Sequence, residues 1–414
     1  MAGLLRVATA GSVDDGKSTL IGRLLHDSKA VFADQLAAVT DASQRRGYDQ
    51  TDLALLVDGL RAEREQGITI DVAYRYFSTP RRSFVLADTP GHVQYTRNMV
   101  TGASTADVAV VLVDVRAGLV DQSRRHAAIA ALLGVAHVVL AVNKMDLVDF
   151  AEDRFDQICG QFAELAGRRG IASWTAIPIS ALHGDNVVTR SDRAPWYAGP
   201  ALLEHLETLT PPEPPAHGGR FPVQLVIRPR TAAHPDYRGY AGRVAAGTLR
   251  VGQPVTVLPA GRRTVLAGID TADGPLNQAG PGRSVVLRLA DHVDVGRGDL
   301  LATDPPPVPT RELDVVICWL AETPLRTGDR YRVRHTTRDV SGVVSAVHDR
   351  LDVSSLDTSP ATELELNDIG HATLRLVEPV VAERYVDCRA TGALLLVDEH
   401  TGATVAAGMV RGSR

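Results

Sequence analysis

The chain has 414 residues, more than one hydrophobic core usually organises, so we expect two or three domains. Apolar residues make up 44% and charged residues 22%, which is typical of a globular protein and excludes wholesale disorder. The net charge of −5, from 44 basic and 49 acidic residues, argues against non-specific electrostatic binding to DNA. It does not exclude specific binding to a folded RNA.

The first 210 residues alternate β-branched runs with helical patterns, which is typical of a doubly wound, mainly parallel sheet with helices on both faces. The predicted strands are 5–10, 70–77, 84–87, 108–115, 138–142 and 175–179. Prolines and glycines then cluster between 211 and 219, where they end a helical stretch at 201–206 and indicate a linker. We therefore predict an α/β domain over residues 1–212.

Two strand-rich blocks make up the rest of the chain. The first block contains predicted strands, separated by glycines, at 221–227, 240–249, 254–258, 265–269 and 284–289. This spacing favours a small antiparallel β-barrel over residues 220–303. A second proline cluster at 305–309 precedes another run of strands, which predicts a second β-barrel domain over residues 310–414.

The cysteines and the N-terminus bear on the cellular compartment. Cys159, Cys318 and Cys388 lie far apart, so a thiolate metal site has no support and a reducing cytosol fits best. No apolar run approaches the roughly 18 residues that cross a bilayer, and the first residues do not resemble a secretory leader. We expect a cytoplasmic protein without a membrane partner.

A phosphate-binding pattern follows the first predicted strand. The pattern G-x-x-x-x-G-K-S is formed by Gly11, Ser12, Val13, Asp14, Asp15, Gly16, Lys17 and Ser18. Thr19 then begins an amphipathic helix, so that the loop's N–H groups and the helix N-terminus would surround phosphates. Lys17 would reach the β- and γ-phosphates and Ser18 would bind Mg²⁺. The loop alone does not choose between ATP and GTP.

The residues that select the base are predicted to follow strand 138–142. There Asn143, Lys144 and Asp146 have the form N-K-x-D. The carboxylate of Asp146 would accept from both N1–H and the amine of guanine, whereas adenine presents the wrong donors. Asn143 and Lys144 would brace the loop and cover the ring. The pattern therefore predicts GTP as the bound nucleotide.

A third motif follows strand 84–87 and consists of Asp88, Thr89, Pro90, Gly91 and His92. Asp88 is predicted to hold Mg²⁺ through water, and the Gly91 N–H to sense the γ-phosphate. His92 is our candidate for orienting the attacking water, and its alternative is a structural role at the start of a helix.

Upstream of this motif, a further set of residues is expected to respond to the bound nucleotide. The hydroxyl and carbonyl of Thr69 suit closure over Mg²⁺ and the γ-phosphate. Only a triphosphate would hold Thr69 in place, so residues 28–69 are predicted to switch with the bound nucleotide.

Together these stretches resemble the translational elongation factor superfamily of GTPases. The resemblance is carried by 11–18, by RAEREQGITID at 61–71, by 88–92, by 143–146 and by the two trailing barrels. Other stretches are instead similar to the large, GTPase subunit family of bacterial two-subunit ATP sulfurylases: GSVDDGKSTLIGRLL at 11–25, QYTRNM at 94–99, QSRRH at 122–126, YRGYAG at 237–242 and the run 391–409. A translation factor usually has histidine at Ser12 and at Asp15.

The resemblance implies an α/β P-loop GTPase domain followed by two antiparallel β-barrels. It also implies that Ser180, Ala181 and Leu182 supply backbone donors to the guanine carbonyl. GTP hydrolysis would drive adenylyl transfer from ATP to sulfate on a separate small catalytic subunit, forming adenosine 5′-phosphosulfate and pyrophosphate. An adenylylsulfate kinase, which some relatives carry as a further domain, is a second candidate partner.

Two alternative functions stay open at this point. One is a translation-type carrier of aminoacyl-tRNA, and the other is a GTP-gated scaffold without metabolic chemistry. Binding of charged tRNA would indicate the first alternative. The absence of ATP- and sulfate-dependent pyrophosphate release in the presence of a small subunit would indicate the second.

Overall fold

The computed structural model describes residues 3–31, 33–45, 51–56, 72–90, 96–210, 218–229, 236–352 and 357–413. These residues form two compact units, one up to residue 210 and one from residue 218 onwards. Among them, no helix combines the length and the apolar character that crossing a bilayer requires.

The first unit is built on one sheet, which has six strands in the described residues. The strands are β1 (Leu5–Ala10), β2 (Ala73–Ser78), β3 (Ser83–Asp88), β4 (Val108–Asp114), β5 (His137–Asn143) and β6 (Trp174–Pro178). Their order is β2-β3-β1-β4-β5-β6, and every pair is parallel except β2 with β3. Strands β4 and β5 are buried along their whole length, because both are continuous apolar runs in the middle of a parallel sheet.

The helices of this unit connect the strands. They are α1 (Lys17–Asp27), α2 (Ala33–Arg45), α3 (Thr96–Ser104), α4 (Asp121–Leu132), α5 (Glu152–Arg169) and α6 (Leu202–Thr208), with short 3₁₀ turns at Leu53–Leu56 and Met145–Val148. In a parallel sheet the carboxyl ends of the strands meet at one edge, and the ends of β1, β3 and β5 carry the three predicted motifs.

The second unit contains two closed antiparallel barrels. The strands of the first barrel region are β7 (Arg220–Ile227), β8 (Gly239–Arg243), β9 (Leu249–Arg250), β10 (Pro254–Leu258), β11 (Arg262–Thr271), β12 (Gly274–Leu276), β13 (Gln278–Ala279), β14 (Ser284–Leu289) and β15 (Leu300–Ala302). The ring runs β10-β15-β7-β8-β14-β11 and is closed by pairing of β10 with β11. Its core includes the fully buried side chains of Phe221 and Tyr240.

The second barrel follows the same plan. Its elements are β16 (Thr310–Trp319), β17 (Leu325–Arg326), β18 (Arg330–His335), β19 (Arg338–Leu351), β20 (Thr358–Pro360), β21 (Glu363–Leu364), β22 (Ile369–Val380), α7 (Arg389–Gly392), β23 (Ala393–Val397) and β24 (Thr404–Ser413). The ring runs β18-β23-β24-β16-β22-β19 and closes where β18 pairs with β19. Trp319 is buried in its core.

The predicted fold class, an α/β P-loop domain followed by antiparallel barrels, is confirmed. One predicted strand was wrong in extent. The run 240–249 is interrupted after Arg243, where the chain turns through Gly247 with φ of 62° and resumes as β9. Ala246 within this turn accepts a hydrogen bond from the Arg220 N–H at 2.9 Å. The side chains of Val244, Ala246 and Leu249 are all buried, so the apolar pattern continues although the strand does not.

Candidate functional site

The phosphate-binding pattern forms a tight loop between β1 and α1. Gly16, immediately before the helix, has φ of 93°, and Asp14 has φ of 66°. A Cβ on Gly16 would lie 2.5 Å from Nδ2 of Asn143, so glycine is required both by the backbone conformation and by the space. The loop therefore approaches the end of β5 closely.

Lys17 braces the loop from inside. Its buried ammonium donates to the carbonyl oxygens of Gly11 at 3.1 Å and Ser12 at 2.7 Å. Burial lowers the pKa of Lys17, and the carboxylates of Asp88 and Asp15 partly offset this effect. The cation thus lies within the loop that is predicted to surround phosphates.

Two side chains hold the loop's backbone N–H groups. The Ser12 N–H donates to Oδ2 of Asp15 at 2.5 Å, and burial raises the pKa of this carboxyl group. The Gly11 N–H donates to Nδ1 of His126, on α4, at 3.0 Å. Burial lowers the pKa of His126 to about 3, so its imidazole is neutral and accepts this hydrogen bond.

The ends of α1 and β3 bring two oxygen ligands together. Oγ of Ser18 lies 3.4 Å from Oδ2 of Asp88, while Oδ1 of Asp88 accepts from the Thr9 hydroxyl at 3.2 Å. Thr89 is buried and its hydroxyl donates to the Thr9 carbonyl at 2.5 Å. A hydroxyl and a carboxylate converging beside a phosphate loop are the hard oxygen donors that suit Mg²⁺.

Asn143 joins the phosphate loop to the loop that follows β6. Its Nδ2 donates to the carbonyl of Asp15 at 2.7 Å, and its Oδ1 accepts from the Ala181 N–H at 2.9 Å. Both groups of the buried amide are used, so Asn143 fixes the spacing between the two loops.

Lys144 makes a second link to the phosphate loop. It has φ of 62°, and its ammonium donates to the Asp14 carbonyl at 2.5 Å and lies 3.0 Å from Oδ2 of Asp114. Burial alone would raise the pKa of the Asp114 carboxyl, but hydrogen bonds from Arg116 and Lys144 hold it well below its usual range. Asp114 therefore stays ionised as the partner of Lys144.

The remaining part of this site consists of Asp146 and residues 180–182. We call residues 180–182 the base loop. The Asp146 carboxylate lies 3.7 Å from Nε2 of His183. Ser180 and Ala181 are buried, whereas Leu182 is 50% exposed. Within the described parts of the chain, the Leu182 N–H donates to no protein acceptor.

The structure thus gathers most of the predicted site residues at one edge of the sheet. The described ones are Gly11, Ser12, Val13, Asp14, Asp15, Gly16, Lys17, Ser18, Thr19, Asp88, Thr89, Pro90, Asn143, Lys144, Asp146, Ser180, Ala181 and Leu182. Thr69, Gly91 and His92 lie outside the described residues, as does much of the predicted switch at 28–69.

Comparison with known proteins identifies the families involved. The elongation factor Tu GTP binding domain matches residues 3–212, and the GTP-eEF1A C-terminal domain-like family matches residues 312–411. Sulfate adenylyltransferase subunit 1 of Vibrio cholerae is 50% identical over 99% of this chain and 86% of its own length. The chain belongs to the sulfate adenylyltransferase subunit 1 family.

Other relatives agree with this membership. Sulfate adenylyltransferase subunit 1 of Laribacter hongkongensis is 49% identical over 99% of this chain and 85% of its own length. The bifunctional enzyme CysN/CysC of Mycobacterium tuberculosis is 55% identical over 99% of this chain, which spans 67% of that relative. The predicted GTP-binding domain and the suspected large-subunit family are both confirmed.

Three residues of this family member were given no role by the sequence analysis although they contact the site directly. His126 holds Gly11, Asp114 holds Lys144, and Arg23 donates to the base loop. His126 and Arg23 fall in stretches that carried the family resemblance. That resemblance was the only indication in the sequence that they have a role at the site. Their contacts connect segments distant in sequence, which a single sequence does not reveal.

Proposed function

We propose that this chain is the GTPase subunit of a sulfate adenylyltransferase and that its GTP hydrolysis drives adenylyl transfer from ATP to sulfate on a separate small subunit. The observation that supports the proposal is that the phosphate loop and the base loop lie side by side, with Asn143 hydrogen-bonded to both. Family membership supplies the metabolic context.

The roles at the phosphate end follow from the geometry. Lys17 and the loop's backbone N–H groups other than those of Gly11 and Ser12, which His126 and Asp15 hold, would bind the β- and γ-phosphates of GTP. Ser18 and Asp88 would hold Mg²⁺, which would neutralise phosphate charge, and Thr69 would complete the set in the triphosphate state.

At the base end, Asp146 would accept from guanine N1–H and the exocyclic amine. Asn143 would brace the loop through its two hydrogen bonds, and Lys144 would cover the ring. Among Ser180, Ala181 and Leu182, the Ser180 N–H donates to the Asp185 carbonyl at 3.1 Å and the Ala181 N–H donates to Asn143, so Leu182 would donate to the guanine carbonyl. The Leu182 N–H, which has no acceptor among the described residues, suits that role.

Hydrolysis would begin with His92, which we propose orients a water molecule toward the γ-phosphorus. The water oxygen would form the new bond to phosphorus while the bond from phosphorus to the β–γ bridging oxygen breaks, and a proton of the water would pass to a phosphate oxygen, giving GDP and inorganic phosphate. The Gly91 N–H would sense the γ-phosphate, and loss of that group would release residues 28–69.

Coupling has a thermodynamic reason. The phosphosulfate anhydride in adenosine 5′-phosphosulfate is high in free energy, so its formation from ATP and sulfate is unfavourable unless it is linked to GTP hydrolysis. The small catalytic subunit is the proposed partner, an adenylylsulfate kinase is a second one, and the cytoplasm is the proposed compartment.

The two barrels have a proposed role in this coupling. We propose that the chain divides into domains at 1–212, 220–303 and 310–414, and that the barrels dock the partner and relay the nucleotide state. A role as an aminoacyl-tRNA carrier is less supported, since relatives at 49–50% identity are named sulfate adenylyltransferase subunit 1.

The proposal is tested by assaying the purified chain with and without a small subunit. GTP hydrolysis and ATP- and sulfate-dependent pyrophosphate release should rise together only in the complex. K17A should abolish both, whereas R168A, which alters an exposed residue of α5, should leave both unchanged. GTP hydrolysis without any response of pyrophosphate release would refute the coupling.

A further inference from the structure

Arg23 links the helix that begins at the phosphate loop to the base loop. It lies on α1, which starts at Lys17, and its Nε donates to the Ala181 carbonyl at 3.2 Å. One of its terminal nitrogens also donates to the Leu182 carbonyl. The guanidinium therefore holds two consecutive carbonyl groups of the base loop.

The guanidinium is itself held in place. Its Nη1 lies 3.5 Å from Oδ1 of Asp27, one turn further along α1, and the Arg23 side chain is only 19% exposed. Gly184 packs against the pair: a Cβ there would lie 3.3 Å from Oδ2 of Asp27 and 3.5 Å from Cδ of Arg23. Gly184 also has φ of 88°, so glycine suits this position on two counts.

The hydrogen bond from Arg23 to the Ala181 carbonyl fixes the orientation of a whole peptide group. The Ala181 carbonyl and the Leu182 N–H belong to the same planar, trans peptide unit, so they point in opposite directions. By binding the carbonyl, Arg23 directs the Leu182 N–H away from α1. This N–H is the one that lacks an acceptor among the described residues.

The other side of the base loop is fixed as well. The Ala181 N–H is bound by Oδ1 of Asn143 at 2.9 Å. Asn143 and Arg23 thus hold the two peptide groups that flank Ala181, one through its N–H and the other through its carbonyl. Neither peptide can rotate without breaking a hydrogen bond.

We propose that Arg23 is a positioning residue for guanine specificity, because it orients the Ala181–Leu182 peptide so that its N–H meets the guanine carbonyl. This inference rests on the proposed function of the base loop. Without Arg23 the peptide is free to rotate, and a carbonyl oxygen facing the guanine carbonyl would repel it. Because both contacts of Arg23 with the base loop are to backbone carbonyls, Arg23 would act through the backbone.

The test compares GDP with a nucleotide that lacks the base carbonyl. GDP carries the carbonyl at position 6, whereas 2-aminopurine riboside 5′-diphosphate keeps the exocyclic amine but has hydrogen at that position. Its N1 also carries no proton, so its weaker contact with Asp146 is the same in every variant and the comparison uses the change in each constant caused by the substitution. Dissociation constants for both are measured by calorimetry on the full chain. The variants are R23M, which keeps the aliphatic stem without donors, R23K, and the control R168M on the exposed face of α5.

R23M should weaken GDP binding about tenfold and binding of the 2-aminopurine nucleotide less than twofold, because only GDP presents the acceptor. R23K, which retains a cationic donor, should lose only about threefold for GDP. R168M should change neither constant. Equal weakening for both nucleotides in R23M, or unchanged GDP affinity, would overturn the proposal.

The proposed function fails in a different way. If the unaltered chain binds ADP as tightly as GDP, the base loop does not select guanine and the proposed function is wrong. If the unaltered chain selects GDP but R23M keeps the same ratio between GDP and the 2-aminopurine nucleotide, the proposed function survives and only the role of Arg23 is refuted.

Discussion

Arg220, the first residue of β7, forms a bidentate ion pair with Glu383 of the second barrel. The atoms Nη2 and Oε1 lie 3.0 Å apart, and Nε donates to both carboxylate oxygens. The side chains are only 4% and 14% exposed. The hydroxyl of Thr391 also donates to Glu383 at 2.8 Å. Both oxygens of the carboxylate that joins the two barrels therefore accept hydrogen bonds.

Loss of one partner should destabilise the second unit strongly. R220M leaves the Glu383 carboxylate buried without its cation, which should lower the free energy of unfolding by about 3 kcal/mol. R334M is the matched control, because Arg334 pairs with Asp339 at the surface, where the side chains are 51% and 41% exposed. R334M should leave the denaturant midpoint nearly unchanged, because solvent screens an exposed ion pair. Similar denaturant midpoints for the two variants would contradict the account.

His126 should affect nucleotide binding through Gly11. H126A removes the acceptor of the Gly11 N–H and should raise the dissociation constant for GTP about tenfold, since an unpaired buried donor costs roughly 1–3 kcal/mol. In H126N the amide oxygen can take the place of Nδ1, so its affinity should stay within about threefold of the parent. Equal losses in H126A and H126N would show that the hydrogen bond is unimportant.

Acid should destabilise the first unit through two facing histidines. The Nε2 atoms of His137 and His205 lie 3.1 Å apart, and burial, aided by His205, lowers the pKa of His137 to about 4. An unfolded histidine titrates near 6.5, so between about pH 6.5 and pH 4 the unfolded state binds more protons. The free energy of unfolding should therefore fall as the pH falls through this window. H137Q should show a shallower decline in urea titrations, and an identical slope would exclude His137 as a source.

His92 should matter for hydrolysis rather than for binding. H92A should slow single-turnover GTP hydrolysis by a factor of about 10² or more while leaving the dissociation constant for GTP within about twofold, because an orienting group acts on the water. An unchanged hydrolysis rate would leave His92 with a structural role only.

Much of the fold could be predicted because the signals are local. Strands β4 and β5 are continuous apolar runs, and their predicted bounds differ from the observed ones by one residue at most. The phosphate loop was recognised because its glycines and Lys17 are adjacent in sequence. Where an apolar pattern ran through a turn, as at 240–249, the prediction joined two strands into one.

The parts of the site that could not be predicted depend on tertiary contacts. Gly11 and His126 are 115 residues apart, and Arg23 and Ala181 are 158 apart. Periodicity places each residue on a helix face but does not show which backbone group that face meets. For the same reason, the buried pair of Arg220 and Glu383 has no signature in the sequence.

The most direct test of the central claim uses an orthogonal nucleotide in the complex with the small subunit. D146N replaces an acceptor with an amide that can donate, which should shift binding from GTP to xanthosine triphosphate. We predict that xanthosine triphosphate, and not GTP, then stimulates ATP- and sulfate-dependent pyrophosphate release by the variant complex. Continued stimulation by GTP, or stimulation by neither nucleotide although xanthosine triphosphate is bound and hydrolysed, would contradict it.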